Sequence, residues 1–220
     1  MRAMMNMPST WCADCTGLVM AGGAGRRMGD SDKGLLAWGA GTLASHACQR
    51  LAANGLTVLL SANRNAEAYR AYGHAVVTDR RADYQGPLAA LEAGLLASAT
   101  PWLIAVPCDS PFFPDELPAR LWQAVAGSAP LPGYTAPMAA YVRCGEAHHP
   151  VFCILSTTLG GTLSRFLEDG GRRMTDWWQA IGARAIDFGT AAEPAFANAN
   201  TPADYELLRA REAAWSSAPC

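Results

Sequence analysis

Thr16-Gly17-Leu18-Val19-Met20-Ala21 runs directly into Gly22-Gly23-Ala24-Gly25-Arg26-Arg27-Met28-Gly29-Asp30-Ser31-Asp32-Lys33. The first six residues form a short apolar run closed by glycines, the pattern of a buried strand. The twelve that follow hold four glycines, two arginines and a lysine. Glycine permits positive φ, so successive backbone N–H groups can converge on one anion. Arg27 adds a planar fork and Lys33 a point charge. The stretch therefore predicts a strand that empties into a phosphate-holding loop. On its glycines alone, a solvated strand-to-helix connection would read the same way.

Working outward, apolar runs and helical periods alternate. Residues 42–53 place Leu43, Ala47 and Leu51 on one helical face, and Gly55 stops that helix. Residues 56–61 predict a second strand, 66–72 a short helix and 74–78 a third strand. Pro87 suits the first turn of a helix over 87–97; residues 102–106 predict a fourth strand and 117–126 a helix. This alternation with short links is the signature of a mainly parallel sheet covered on both faces. The second half is less regular. It predicts strands at 134–142 and 151–155, helices at 156–169 and 175–181, a strand at 183–188 and a closing helix at 201–211. Residues 127–137, rich in glycine, serine and proline, read as a loop and not a linker between domains. The expected organisation is an N-terminal arm (1–15), one catalytic domain (16–215) and a loose tail over the last residues.

Composition narrows the function. Half of the 220 residues are apolar and 16% are charged, enough for a sizeable core and unlike a disordered chain. Seventeen Lys and Arg against nineteen Asp and Glu give a net charge of −2. A nucleic-acid binder needs a basic excess, so none is expected, whereas a nucleotide needs only a few placed groups. No apolar run nears the roughly 18 residues of a spanning helix, and the first residues lack a secretory pattern. Seven irregularly spaced cysteines fit reduced thiols in a cytoplasm. Cys12 and Cys15 form a C-x-x-C, but no second ligand pair follows at zinc spacing and the pair precedes the first strand. Two small residues of an arm is the simpler reading, with a redox or zinc role as the alternative.

Two familiar phosphate loops fail the test of spacing. Lys33 is preceded by Asp32 and followed by Gly34, which excludes a Walker A loop, and Met28 stands where a dinucleotide fingerprint needs glycine.

The chain resembles the molybdenum cofactor guanylyltransferase (MobA-like nucleotidyltransferase) family. The matching residues are Met20-Ala21-Gly22-Gly23, Arg27-Met28-Gly29 and Asp32-Lys33-Gly34-Leu35. Asp79, Tyr84-Gln85-Gly86-Pro87-Leu88, Pro107-Cys108-Asp109-Ser110-Pro111, His149-Pro150 and the segment from Phe196 through Asn198 and Asn200 to Pro202 follow in order. The resemblance covers nearly the whole chain after residue 15. It implies an α/β, Rossmann-like three-layer sandwich with a mainly parallel sheet, of the nucleotide-diphospho-sugar transferase type. It also implies a reaction in which the phosphate of molybdenum-loaded molybdopterin attacks the α-phosphorus of GTP, releasing pyrophosphate. Under it, Met20, Ala21, Gly22, Gly23, Lys33, Asp79 and Asp109 would contact the nucleotide. Arg27, Lys33 and Asp109 would be catalytic, and Asn198 and Asn200 would face the pterin.

Asp109 follows an apolar strand at the sheet edge where open α/β folds bind ligands, so it is the candidate Mg²⁺ ligand. Capping a following helix is its structural alternative. Asp79 could be a turn residue, and the two asparagines turn or cap residues. Transient contact with pterin-delivering or molybdoenzyme-maturation proteins is expected under the same resemblance, and the cysteine pattern sets the expected location as cytoplasmic. Three departures stand out: Met20 in place of the usual Leu, Asp30 near the phosphates, and Ser61 where an Asn is expected to help bind guanine. A cytidylyl or sugar-phosphate nucleotidyltransferase and a non-catalytic nucleotide-binding regulator are the competing readings.

Overall fold

The computed structural model describes residues 11–21, 32–81, 86–126 and 137–216, with side chains through residue 214. Among them a seven-stranded sheet has the order β5-β4-β1-β6-β8-β7-β9. Its strands are β1 (Cys15–Met20), β4 (Thr57–Ser61), β5 (Ala75–Val77), β6 (Trp102–Pro107), β7 (Ala139–Cys144), β8 (Ala147–Ser156) and β9 (Arg184–Asp187). β1 lies parallel to β4 and β6, and β4 to β5; β8 runs antiparallel to β6 and β7. A two-stranded ribbon of β2 (Ala37–Trp38) and β3 (Gly41–Thr42) stands apart, and no sequence signal announced it.

Every residue of β1 is buried, as a central parallel strand between two helical layers requires. Val19 faces one core together with α1 (Leu43–Ala53) and α4 (Leu117–Ala126). Leu18 and Met20 face the other, with α3 (Pro87–Ala97), α5 (Gly160–Glu168) and α6 (Met174–Ala180). A Cβ at Gly17 would come within 3.0 Å of the Leu51 side chain, so that glycine sets how closely α1 approaches β1. The expected three-layer sandwich is the observed one.

Some boundaries differ for identifiable reasons. The strand expected over 151–155 is longer: β8 runs back to Ala147, and Pro150, with no N–H to donate, is accommodated because the register with β7 breaks between Tyr141 and Val142 and leaves residues 150–152 opposite no partner in β7. The stretch expected as one helix over 156–169 opens as a 3-10 turn, Thr157–Leu159, before α5. The closing helix α7 (Pro202–Ser216) extends past residue 211. The arm also packs: Trp11 stacks on Trp122 at 6.4 Å, and Cys15 already belongs to β1.

One buried ion pair ties the exit of β5 to two helices. Glu92 on α3 is 2% exposed. Arg81 reaches it with two bonds of 3.0 and 2.9 Å and also donates to the Ser164 carbonyl at 3.1 Å. The Ser164 hydroxyl donates to Glu92 at 2.6 Å. The guanidinium bond holds the Glu92 carboxyl below the usual carboxylate range. Arg81→Ala would strand a buried carboxylate, and chemical denaturation at neutral pH should show a loss of about 3 kcal/mol. A depressed folded-state carboxyl contributes stability above its unfolded pKa, and loses it as pH falls through the folded value. The gap between wild type and variant should therefore narrow as pH drops below the ordinary carboxylate range.

Candidate functional site

The four parallel strands β5, β4, β1 and β6 end together. The Ala21 N–H donates to the Ser61 carbonyl at 2.8 Å, Ala62 to Val77 at 3.0 Å and Cys108 to Met20 at 3.1 Å. Each chain then leaves the sheet over the same edge, which places Ala21, Asn63, Asp79 and Asp109 along it. Carboxyl ends of parallel strands are where ligands of open α/β sheets sit.

Lys33 opens a 3-10 turn, Lys33–Leu35, and its cap is Asp32, whose Oδ1 accepts from the Gly34 N–H at 3.2 Å. The same carboxylate accepts the Tyr69 hydroxyl and, at 2.9 Å, the amide of Asn65. Asn65 holds φ +52° at the start of α2 (Ala66–Arg70), a left-handed conformation that asparagine tolerates better than most residues. Asp32 is thus spent on fixing the turn, and Lys33 is delivered by it.

The Lys33 ammonium lies 3.1 Å from Asp109 Oδ2 and 3.0 Å from Asn200 Oδ1. Three residues separated by most of the chain meet at one atom. Burial pushes the Asp109 carboxyl up, and the Lys33 charge opposes that shift. Asp109 does not cap a helix: α4 begins only at Leu117. Its carbonyl accepts the Ala199 N–H at 2.8 Å, which seats the Asn198–Asn200 segment against the end of β6. Nor do the asparagines cap α7. That work falls to Thr201 and Asp204, which exchange bonds of 2.8 and 3.2 Å.

Asp79 is held by a residue the sequence reading passed over. Asn63 donates its amide to Asp79 Oδ2 at 2.7 Å and accepts the Asp79 N–H at 2.8 Å. Asp79 Oδ1 stays buried with no hydrogen-bond partner among the described residues. Burial raises its carboxyl above the usual range, with Asn63 opposing. Ser61, the position expected to hold an asparagine, is fully buried, and its hydroxyl also lacks a partner among the described residues. The asparagine at this edge is Asn63, two residues on. Its position just after an apolar strand was the signal available.

Met20 and Ala21 end β1, with the Met20 side chain in the core. Gly22, Gly23, Arg27, Asp30, Tyr84 and Gln85 lie outside the described residues. Cys15 is a buried strand residue whose thiol is pushed up to about 12, so it is not a thiolate at neutral pH. Among the described residues no three of His, Cys, Asp or Glu gather as a metal-binding group. No helix there is long and apolar enough to cross a membrane.

Residues 17–182 match the family model of the MobA-like NTP transferase domain. The chain belongs to that family. It is 42% identical over 200 residues to a molybdenum cofactor guanylyltransferase of Acidovorax sp., covering 89% of this chain and 95% of that one. It is 41% identical over 201 residues to the protein of the same name from Ralstonia nicotianae, covering 90% and 98%. Molybdopterin-guanine dinucleotide biosynthesis protein A from Archaeoglobus fulgidus superposes with a TM-score of 0.70 at 18% identity, over 91% of this chain and 99% of that one. A nucleotidyl transferase from Methanothermobacter thermautotroptrophicus gives 0.71 at 16% identity, over 91% and 98%. The fold is that of the nucleotidyltransferases.

Gly34 is the tight point of this site. A Cβ there would collide with the Tyr69 hydroxyl and come within 3.2 Å of the Ala21 Cβ. Gly34→Ala should destabilise by about 1–3 kcal/mol in denaturant titration. In a Tyr69→Phe background, where the colliding oxygen is gone, the same substitution should cost clearly less. That coupling is the sign that glycine is needed to keep tyrosine on Asp32.

Proposed function

We infer that this chain is a molybdenum cofactor guanylyltransferase, moving GMP from GTP onto the phosphate of molybdenum-loaded molybdopterin. The reading rests on the family and on one observation, the meeting of Lys33, Asp109 and Asn200 at the carboxyl edge of the sheet. An acceptor phosphate oxygen forms a bond to the α-phosphorus of GTP while the bond from that phosphorus to the bridging oxygen breaks. Pyrophosphate leaves with the electron pair. Such a reaction needs two anions aligned and the departing charge stabilised, with little covalent chemistry from the protein.

The donor set suits a magnesium ion. One carboxylate, Asp109, faces the site beside the Lys33 ammonium. Mg²⁺ typically takes one or two carboxylates and fills its remaining positions with phosphate oxygens and water. When bound, it would supply Lewis-acid neutralisation of the triphosphate. In our reading the backbone from Met20 through Ala21, Gly22 and Gly23 cradles phosphates, Arg27 clamps them, and Asp79, set by Asn63, accepts from the base. Lys33 swings from Asp109 to the departing phosphates, and Asn198 and Asn200 face the pterin. Residues 16–215 act as one cytoplasmic domain behind a short arm, meeting pterin-delivering or molybdoenzyme-maturation proteins transiently.

Incubation with each nucleoside triphosphate, Mg²⁺ and molybdenum-loaded molybdopterin should give a dinucleotide with GTP; exclusive use of CTP would contradict the assignment. Lys33→Ala should lower kcat by about two to three orders of magnitude and change GTP affinity little, because the ammonium meets most charge as pyrophosphate departs. Lys33→Arg should recover only part of the rate. A raised GTP dissociation constant with kcat intact would make Lys33 a ground-state contact instead. Asp109→Asn should abolish turnover and leave the thermal transition nearly unchanged.

A further inference from the structure

Asn65 is the one non-glycine residue with a positive φ among the described residues, at φ +52° and ψ +31°. A side chain on a left-handed backbone is uncommon, and such a conformation persists only where the surroundings impose it. Asn65 stands at the position just before α2, where an asparagine ordinarily caps the helix, yet its side chain makes no cap bond. Its amide instead donates to Asp32 Oδ2 at 2.9 Å, across 33 positions of sequence. The other oxygen of Asp32 accepts from the Tyr69 hydroxyl and the Gly34 N–H. Both oxygens of that carboxylate are engaged, and the next residue is Lys33.

Two residues earlier, the same segment holds a second carboxylate. Asn63 donates to Asp79 Oδ2 at 2.7 Å and accepts the Asp79 N–H at 2.8 Å. Asp79 Oδ1 is left buried without a partner among the described residues. Just before Asn63, Ala62 still belongs to the sheet edge through its bond to the Val77 carbonyl at 3.0 Å. Two residues of chain span at most about 7 Å. One end of a three-residue segment thus grips Asp79, and the other grips the carboxylate that carries the lysine turn.

We propose that Asn65 is a positioning residue for Lys33, and that segment 63–65 couples the base of the nucleotide to that lysine. The inference rests on the guanylyltransferase reading, in which Asp79 accepts from the base, and adds how that contact is felt at the phosphates. A base N–H donated to Asp79 Oδ1 relieves a buried acceptor and steadies Asp79 on Asn63. A steadier Asn63 favours the left-handed Asn65, whose amide holds Asp32 and through it the turn at Lys33. A nucleotide without that donor would bind by its phosphates and meet a less well placed ammonium. The base is therefore read in turnover as well as in binding. Such coupling is reciprocal: the Asn65 contact favours the base by the same factor as the base favours the contact.

Lys33 is the only lysine among the seventeen Lys and Arg residues of the chain, so protein grown on lysine isotopically labelled at Cε carries a single NMR reporter. The probe is guanosine, which has the base and no phosphate to touch the ammonium. In wild type, guanosine should move the Lys33 resonance. Asn65→Gly keeps the backbone conformation and removes the amide, so its thermal transition should hold. Guanosine should still bind this variant, weakened about fivefold, and leave the resonance in place. Asn65→Asp also tolerates the left-handed backbone but offers Asp32 no donor, and should behave alike. With GTP and molybdopterin, kcat should fall about ten- to a hundredfold in both variants, a loss separate from that in affinity. An equal resonance shift in wild type and variants, no shift in wild type with guanosine bound, or an unchanged kcat overturns the proposal; the guanylyltransferase stands if wild type makes the dinucleotide. If wild type binds guanosine yet makes no dinucleotide, the guanylyltransferase reading fails and the resonance still decides the coupling. A wild type that binds neither guanosine nor GTP refutes both.

Discussion

A lysine ammonium shared between a carboxylate and an amide organises this protein's working edge. Lys33 comes from the turn after β1, Asp109 from the end of β6 and Asn200 from the approach to α7. Asp109 is mostly removed from water, which by itself favours its neutral form; the neighbouring ammonium supplies the opposing field. With two partners among the described residues, Lys33 keeps capacity for a third acceptor, since an ammonium has three donors. Phosphate oxygens would find it oriented and only loosely committed. Preorganised charge of this kind avoids reorientation at the moment of reaction.

The surrounding structure exists largely to hold that arrangement. Asp32 accepts from Gly34, Asn65 and Tyr69 and so fixes the turn carrying Lys33. Gly34 is bare because the Tyr69 hydroxyl occupies the space a side chain would need. At the ends of β4 and β5, Asn63 grips Asp79 by both backbone and side chain, leaving one carboxylate oxygen buried with no partner among the described residues. A buried acceptor without a donor costs free energy, and a bound ligand's N–H would relieve it. Just beyond, Arg81 anchors the same segment to α3 and α5 through Glu92 and Ser164.

Much of the frame was legible in the chain because its first half obeys simple rules. Glycine closes apolar runs, Pro87 opens α3 where expected, and α4 begins and ends as the periodicity indicates. Lys33 and Asp109 also stand out as charged residues leaving apolar strands. The second half hid more. Pro150 concealed the length of β8, since a proline signals the end of pairing unless a register break accommodates it. The two-residue strands of the β2–β3 ribbon are too short to show a period. Contacts across long separations left no local trace: Asn63 to Asp79, Arg81 to Ser164 and Lys33 to Asn200 depend on topology. The shift from Ser61 to Asn63 is the clearest case, because only the fold reveals that the hydroxyl points into a sealed interior while the amide serves the edge.

Single-turnover incubation of the protein with Mg²⁺, molybdenum-loaded molybdopterin and GTP labelled either at the α- or at the γ-phosphorus would follow both ends of the nucleotide. Attack at the α-phosphorus places the α label in the pterin dinucleotide and the γ label in pyrophosphate. An α label recovered in GDP, with the γ label in orthophosphate, would contradict it.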